Sequence, residues 1–245
     1  MTDTIEPTRD NSKALAVPTA MTPAQLDAMD HYAQTAGPGL FGDLLKHSGK
    51  TGEWTAGPQG VEVPHGTELV AIVPEMLTGH VKWIDGELAD QAMVPVYSAL
   101  GSDPRAHRAT LDETDRTKWA PDDDGRPKDP WQEAALVPMV DPKTGAKYSF
   151  STCSVGGVRA CKQLSGTYSR QMRAAPETTT GYLPRVALGT RSYRHSDKKR
   201  GTIFNPVLEG IDWVLAADAL RVANELPPQF EDHRDPKTKK KRARV

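Results

Sequence analysis

The sequence has no long hydrophobic run, and its apolar fraction is low. Hydrophobic residues make up 37% of the 245 residues, and the mean hydropathy is −0.57. No segment approaches the roughly 18–20 uncharged apolar residues that a membrane-spanning helix requires. The first residues also lack the basic and then apolar pattern of a secretion signal. We therefore expect a cytoplasmic protein with one hydrophobic core, polar extensions and no membrane contact.

Cysteine is scarce as well. The two cysteines, Cys153 and Cys161, are too few to form a disulfide framework in a chain of this length. A structural zinc site needs four ligands at short spacings, and no histidine or second cysteine pair stands near these two in the sequence. We expect two reduced thiols packed in the fold, and no metal site.

Sequence motifs for catalysis or cofactor binding are also missing. The seven histidines form no short-spaced pair, and no nucleophile-elbow sequence is present. Residues 49–51 read Gly-Lys-Thr, but a phosphate-binding loop needs glycine at position 44, which is Leu44. Residues 122–125 lack the spaced ligands of a calcium loop. We expect no cofactor and no enzymatic activity, with a Mg²⁺-dependent nuclease built from distant carboxylates as an open alternative.

The net charge of −1 conceals a strong segregation of charge along the chain. Residues 142–204 contain twelve Lys and Arg but only two acidic residues, a net charge of +10. Residues 1–84 carry −5, residues 85–141 carry −7, and the remainder carries +1. So basic a segment indicates an anionic partner. Alternatively, the acidic residues fold back and neutralise it, which would leave only weak and easily screened binding to anions.

Composition divides the chain into three parts. Residues 1–20 are polar and aperiodic, which predicts a disordered arm, and residues 226–245 form a basic tail that we also expect to be disordered. Residues 21–225 are predicted to form one nucleic-acid-binding domain. Within it, residues 101–130 are rich in Asp, Pro and Gly, which predicts an exposed acidic loop with at most one helical turn near Leu111.

Alternating and short apolar runs predict several strands, with few helices between them. The predicted strands cover residues 61–63, 68–73, 80–84, 93–96, 134–140, 146–153, 182–188, 190–196, 202–208 and 211–214, the last of which could instead begin a helix. Helices are predicted from Thr22 to just before Gly37, at about 157–174 and at 216–224. This pattern indicates an α+β, mainly β, fold: a small curved sheet or an OB-like barrel with one amphipathic basic helix.

The predicted helix at 157–174 separates apolar and basic residues onto two sides. The apolar stripe consists of Val158, Cys161, Leu164, Tyr168 and Met172. The opposite side carries Arg159, Lys162, Arg170 and Arg173. Four cations on one side of a helix could contact a phosphate backbone, or could simply be a solvated surface.

The basic character continues into the strands that follow the helix. The candidate binding residues there are Arg191, Tyr193, Arg194, Lys198, Lys199 and Arg200, and Arg185 adds a further cation. Strand alternation places Tyr193 on the same face as Arg191 and His195, which favours an exposed ring that could stack on a base. An ordinary half-buried tyrosine is the alternative. Residues 198–201 are predicted to form a hairpin tip.

Four short stretches resemble a group of uncharacterised phage- and prophage-encoded proteins. They are Phe41–Lys46, Asp129–Gln132, Tyr148–Phe150 and Gly189–His195, spread over residues 40–214. The resemblance implies a role in phage genome handling, in the cytoplasm of a bacterial host. It carries over no catalytic residues.

Together these features predict a non-catalytic protein that binds nucleic acid and prefers single-stranded DNA, in a phage-type replication or recombination context. Cations on the helix and the later strands would hold phosphates, and Tyr193 would offer a stacking face. The competing interpretation is a phage structural or assembly protein whose basic face meets an acidic protein partner. Both a monomer and a homo-oligomer remain compatible with the sequence.

Overall fold

The computed structural model describes residues 41–84, 87–122, 125–176 and 180–225. The predicted N-terminal arm, the helix predicted from Thr22 and the basic tail lie outside these ranges. The strands are β1 (Asp43–His47), β2 (Trp54–Ala56), β3 (Val61–Val63), β4 (Glu68–Ala71), β5 (Leu77–Ile84), β6 (Glu87–Pro95), β7 (Trp131–Val140), β8 (Lys147–Thr152), β9 (Tyr182–Arg194) and β10 (Thr202–Leu215). The α-helices are α1 (Ala99–Ser102), α2 (Pro104–Ala109), α3 (Val155–Ala174) and α4 (Ala216–Glu225).

These strands form one open, strongly curled sheet, which confirms the prediction of a mainly β fold with a curved sheet. The order is β10-β9-β4-β7-β8-β1-β2-β3, and every pair of neighbouring strands in this order is antiparallel except β1–β8. The long strand β7 divides the sheet. Its first half pairs with β5, which pairs with β6, and its second half pairs with β4.

The curl brings the β1–β2 hairpin against β9 and β10, far away in the sequence. Trp54 is completely buried, and its Nε1 donates a 3.0 Å hydrogen bond to the carbonyl of Gly189. The indole also packs against Phe150, with ring centroids 5.1 Å apart. Beside it, His47 Nε2 lies 2.9 Å from Thr190 Oγ1. These contacts join the two ends of the curled sheet.

Each face of the sheet carries its own hydrophobic cluster, as the alternation of side chains along β4 shows. Leu69 belongs to the larger cluster, whereas its neighbour Val70 belongs to the smaller one. Helix α3 covers the larger cluster with Cys161 and Leu164, and α4 covers the smaller one with Ala219. The predicted apolar stripe of the basic helix is therefore confirmed at its centre.

The prediction of separate strands at 182–188, 190–196, 202–208 and 211–214 was wrong. β9 and β10 are two long strands that pair from Arg194–Thr202 to Tyr182–Leu215. A shift in register near Gly210 keeps β10 continuous where the sequence indicates a break.

The acidic segment between β6 and β7 is more ordered than predicted. Asp103 caps α2 by accepting hydrogen bonds from the backbone N–H groups of Arg105 and Ala106. Arg108, on α2, makes a bidentate ion pair with Asp129 just before β7. Many carboxylates of this acidic segment are nevertheless exposed, as expected.

Both cysteines are free thiols, as predicted. Cys161 is buried, and burial raises the pKa of its thiol to about 12. No helix in the described part of the chain is both long and apolar enough to cross a bilayer.

Replacing Trp54 by Ala should destabilise the protein strongly, because it removes the ring that joins the two ends of the sheet. The cavity and the unpaired Gly189 carbonyl should together cost about 3–5 kcal/mol of unfolding free energy. Denaturant titration of the variant and the wild type measures this difference. A loss below about 1 kcal/mol would show that the contact is not structurally important.

Acid should destabilise the fold through its buried histidines. Burial, with a smaller effect of His65, lowers the pKa of His47 to about 4, from 6.5 in the unfolded chain. The folded state therefore binds fewer protons, so this stability is complete above pH 6.5 and is lost as the pH falls towards 4. The full shift would correspond to about 3.4 kcal/mol, and because His47 is only half-buried, solvent screening reduces the contribution to about 2 kcal/mol.

Unfolding free energies measured between pH 7 and pH 4 test this expectation. The His47→Gln variant should show a shallower fall, because it no longer titrates. Some fall should remain, because burial also lowers the pKa values of His80 and His107, whose Nδ1 atoms lie 3.4 Å apart. Identical pH profiles for the variant and the wild type would contradict the assignment to His47.

Candidate nucleic-acid interface

The basic side of α3 faces solvent, as the sequence predicts. Ser154 caps the helix and accepts a 3.0 Å hydrogen bond from the Gly157 N–H. The exposed cations are Arg159, Lys162, Arg170 and Arg173. Within the described residues, no ion pair engages Arg159, Arg170 or Arg173. These three charges are therefore not neutralised by the described part of the fold.

Two glycines allow the first turn of α3 to approach the sheet closely. A Cβ at Gly156 would lie 2.2 Å from Asn205 Oδ1 on β10, and a Cβ at Gly157 would lie 2.0 Å from Thr152 Oγ1 on β8. Neither position can hold a side chain without moving its neighbour. The small residues before the basic helix are thus explained by packing and capping.

Further along α3, the helix and β10 enclose a groove of about 760 Å³, which we call the α3–β10 groove. Tyr168 and Trp213 meet in it, with ring centroids 5.8 Å apart and planes inclined by 33°. Three of the predicted binding residues line the groove, namely Arg159, Lys162 and Arg170. Arg170 Nη2 donates a 3.0 Å hydrogen bond to Thr167 Oγ1 on the preceding turn.

Lys162 differs from the other cations of the basic helix because it is engaged by the sheet. Its Nζ lies 2.6 Å from Glu133 Oε1 on β7, although this buried oxygen is not aligned for a hydrogen bond. The charge of Lys162 is therefore partly compensated. At Lys162, an acidic residue therefore compensates part of the positive charge of residues 142–204, which is the alternative that the sequence left open.

Arg185 is neutralised more completely. It pairs with Asp212 opposite it on β10 and with Glu68 on the neighbouring β4, and the hydrogen bond to Asp212 raises the pKa of the guanidinium. This arginine joins three strands, so the prediction that it adds a cation to the binding surface was wrong. Asp212, the acidic residue in the wall of the α3–β10 groove, is held by this ion pair and shares the arginine with Glu68.

The second group of predicted residues lies at the other end of the β9–β10 ribbon. Residues 195–201 connect the strands and form the hairpin tip, where Asp197 caps a short 3₁₀ turn. Tyr193 is 47% exposed, and its ring centroid lies 6.4 Å from that of His195. The exposed cations here are Arg191, Arg194, Lys198, Lys199 and Arg200, of which Arg200 pairs with Asp197 at 3.8 Å.

The two groups lie along the same strand pair. The α3 N-terminus contacts Asn205, which is paired with Arg191, and Tyr168 contacts Trp213 towards the other end of β10. From Thr202 to Trp213, β10 extends for about 35 Å at roughly 3.3 Å per residue. The structure thus places the predicted site residues along one ribbon, with the groove at one end and the hairpin tip at the other.

Sequence reasoning missed the aromatic pair in the groove. Tyr168 was assigned to the apolar stripe and Trp213 to the last strand, and both assignments are correct as far as they go. The contact between them depends on how α3 lies across β10, which local periodicity does not report.

Within the described residues, no three His, Cys, Asp or Glu side chains lie together in a way that could hold a metal ion. No protein-family model, curated protein or solved structure matches this chain. The function therefore has to be inferred from the chain's own residues.

Proposed function

We propose that this protein binds nucleic acid without cleaving it and prefers single-stranded DNA. The observation that carries the proposal is the row of exposed, largely unpaired cations on α3, β9 and the hairpin tip, with Tyr193 and Trp213 close to them. Cations contact phosphates whatever the base sequence, and exposed aromatic rings stack on unpaired bases. A duplex keeps its bases stacked on each other, so the aromatic rings favour a single strand.

The biological context we propose is phage DNA replication or recombination. Its support is the resemblance of four short stretches, among them Gly189–His195, to phage- and prophage-encoded proteins. That stretch covers the part of β9 that leads into the hairpin tip, so it coincides with the proposed binding surface.

Fluorescence anisotropy of a labelled single-stranded oligonucleotide of about 30 nucleotides tests the proposal. If four to six phosphates are contacted, log K should fall with log salt with a slope of about −3 to −4. A duplex of equal length should bind more weakly. Absence of binding at about 50 mM salt would overturn the proposal, and loss of substrate on adding Mg²⁺ would indicate a nuclease.

Paired substitutions locate the surface. Arg170→Ala with Arg173→Ala should weaken binding and make the salt slope shallower by about 1.4, because two phosphate contacts are lost. Arg191→Ala with Arg194→Ala should act similarly from the other end of the ribbon.

The matched control for both pairs is Lys118→Ala with Lys143→Ala. It removes the same charge from exposed positions on turns outside the ribbon. Binding should stay close to that of the wild type. An equal loss in the control and in the paired variants would mean that net charge alone governs binding.

Glu133→Gln should strengthen binding, because it releases Lys162 from its ion pair. One additional phosphate contact should steepen the salt slope by about 0.7. The control is Glu62→Gln, which neutralises an exposed carboxylate on β3. If both variants change affinity equally, the effect comes from the loss of one negative charge, and the freed Lys162 makes no additional phosphate contact.

A specific observation also favours an assembly protein as the second candidate. The end of the β5–β6 hairpin exposes three large apolar side chains, Trp83 at 41%, Ile84 at 52% and Leu88 at 49%. Exposed apolar groups close together are typical of a protein–protein contact. This candidate predicts self-association without nucleic acid, which sedimentation of the protein alone would detect.

A further inference from the structure

We propose that the α3–β10 groove holds one base of the bound strand, stacked on the indole of Trp213. This inference rests on the proposed binding of single strands. It adds what the groove recognises, which is one flat heterocyclic base of a nucleotide whose sugar is flanked by backbone phosphates. Elsewhere along the ribbon, the bound strand would meet cations through its phosphate backbone and the exposed ring of Tyr193 through a base.

The size and composition of the groove fit such a ring. Its volume of about 760 Å³ lies within the roughly 300–1,000 Å³ of pockets that hold small organic ligands. Leu164, Leu208 and Pro184 supply apolar wall, and the half-buried Trp213 supplies an aromatic one. An unstacked base needs this combination of flat apolar walls and an open mouth.

The charges of the groove favour phosphates. Arg159 and Arg170 line it, and neither makes an ion pair within the described residues. Among the lining residues that the structure describes, the one carboxylate is Asp212, which is ion-paired with Arg185 and shares that arginine with Glu68. A base inside the groove would therefore have two unpaired arginines next to its flanking phosphates, and the acidic side chain in the wall would be held by an ion pair.

Glycine keeps the groove open on both sides. Gly166 lies in the middle of α3, where a Cβ would meet only Arg170 Nη1, at 3.4 Å. On the opposite wall, a Cβ at Gly210 would meet nothing within 4 Å. Glycine is a poor helix former, so Gly166 lowers the stability of α3, and no neighbouring side chain or backbone requires a glycine there. A need for open space in the groove would explain why this position is glycine.

The decisive variant is Gly166→Leu, which fills the groove without disturbing a core contact. Leucine favours the helix, so the variant should unfold at or above the wild-type temperature. The control is Ala174→Leu, which adds a comparable side chain to the exposed last turn of α3, outside the groove. Trp213→Phe is the second variant, because it keeps a smaller ring in place.

Two oligonucleotides of equal length serve as probes, one with all its bases and one abasic. Gly166→Leu should weaken binding of the complete oligonucleotide by about 5- to 150-fold, the range for one stacked base, and leave abasic binding unchanged. Trp213→Phe should show a smaller loss of the same kind, and Ala174→Leu should show none.

The remaining outcomes separate this inference from the proposed function. If the wild type binds DNA but Gly166→Leu has no effect, or weakens both probes equally, the groove does not hold a base, while nucleic-acid binding stands. If the wild type binds neither probe, the proposed function fails. In that case, titration with deoxyadenosine monophosphate, followed by NMR, tests the groove separately from strand binding. Chemical-shift changes that are lost in Gly166→Leu would support a base-binding groove, and absence of binding would overturn it.

Discussion

The structure depends on the contact between Trp54 and the backbone of Gly189. One buried indole joins β2 to β9 and packs against Phe150, so that a row of strands becomes a curled sheet with an inner core. Because the sheet curls, α3 can cover its larger cluster and still lie along β10. The α3–β10 groove and the exposed basic side of α3 both follow from that position.

Charge compensation divides the cations of the basic segment into two kinds. Arg185 and Lys162 sit beside carboxylates contributed by β4, β7 and β10, where they hold the sheet and helix together. Among the described residues, Arg159, Arg170 and Arg173 on α3 make no ion pair, whereas Arg200 at the hairpin tip pairs with Asp197. The fold thus gathers much of the uncompensated positive charge of residues 142–204 along one strand pair, which is the arrangement that an anionic polymer requires.

How much the sequence could predict depended on how local each feature is. The basic helix was predictable because its apolar stripe repeats with the helical period. The length of β9 was missed because Gly189 indicates a break, whereas its carbonyl is held by Trp54. The pairing of Arg185 and the meeting of Tyr168 with Trp213 join distant segments, and no short pattern reports them.

The separation of Trp54 from Gly189 also has a consequence for the order in which the chain is made. The two residues are 135 positions apart, and the paired residues of β1 and β8, such as Asp43 and Tyr148, are 105 positions apart. At about 5–20 residues per second, the ribosome needs roughly 7–27 s to add the intervening chain. During that interval the indole has no native partner on β9. Strands β1 to β3 can pair with one another, but the apolar face that carries Trp54 stays uncovered until β8 and β9 have been made.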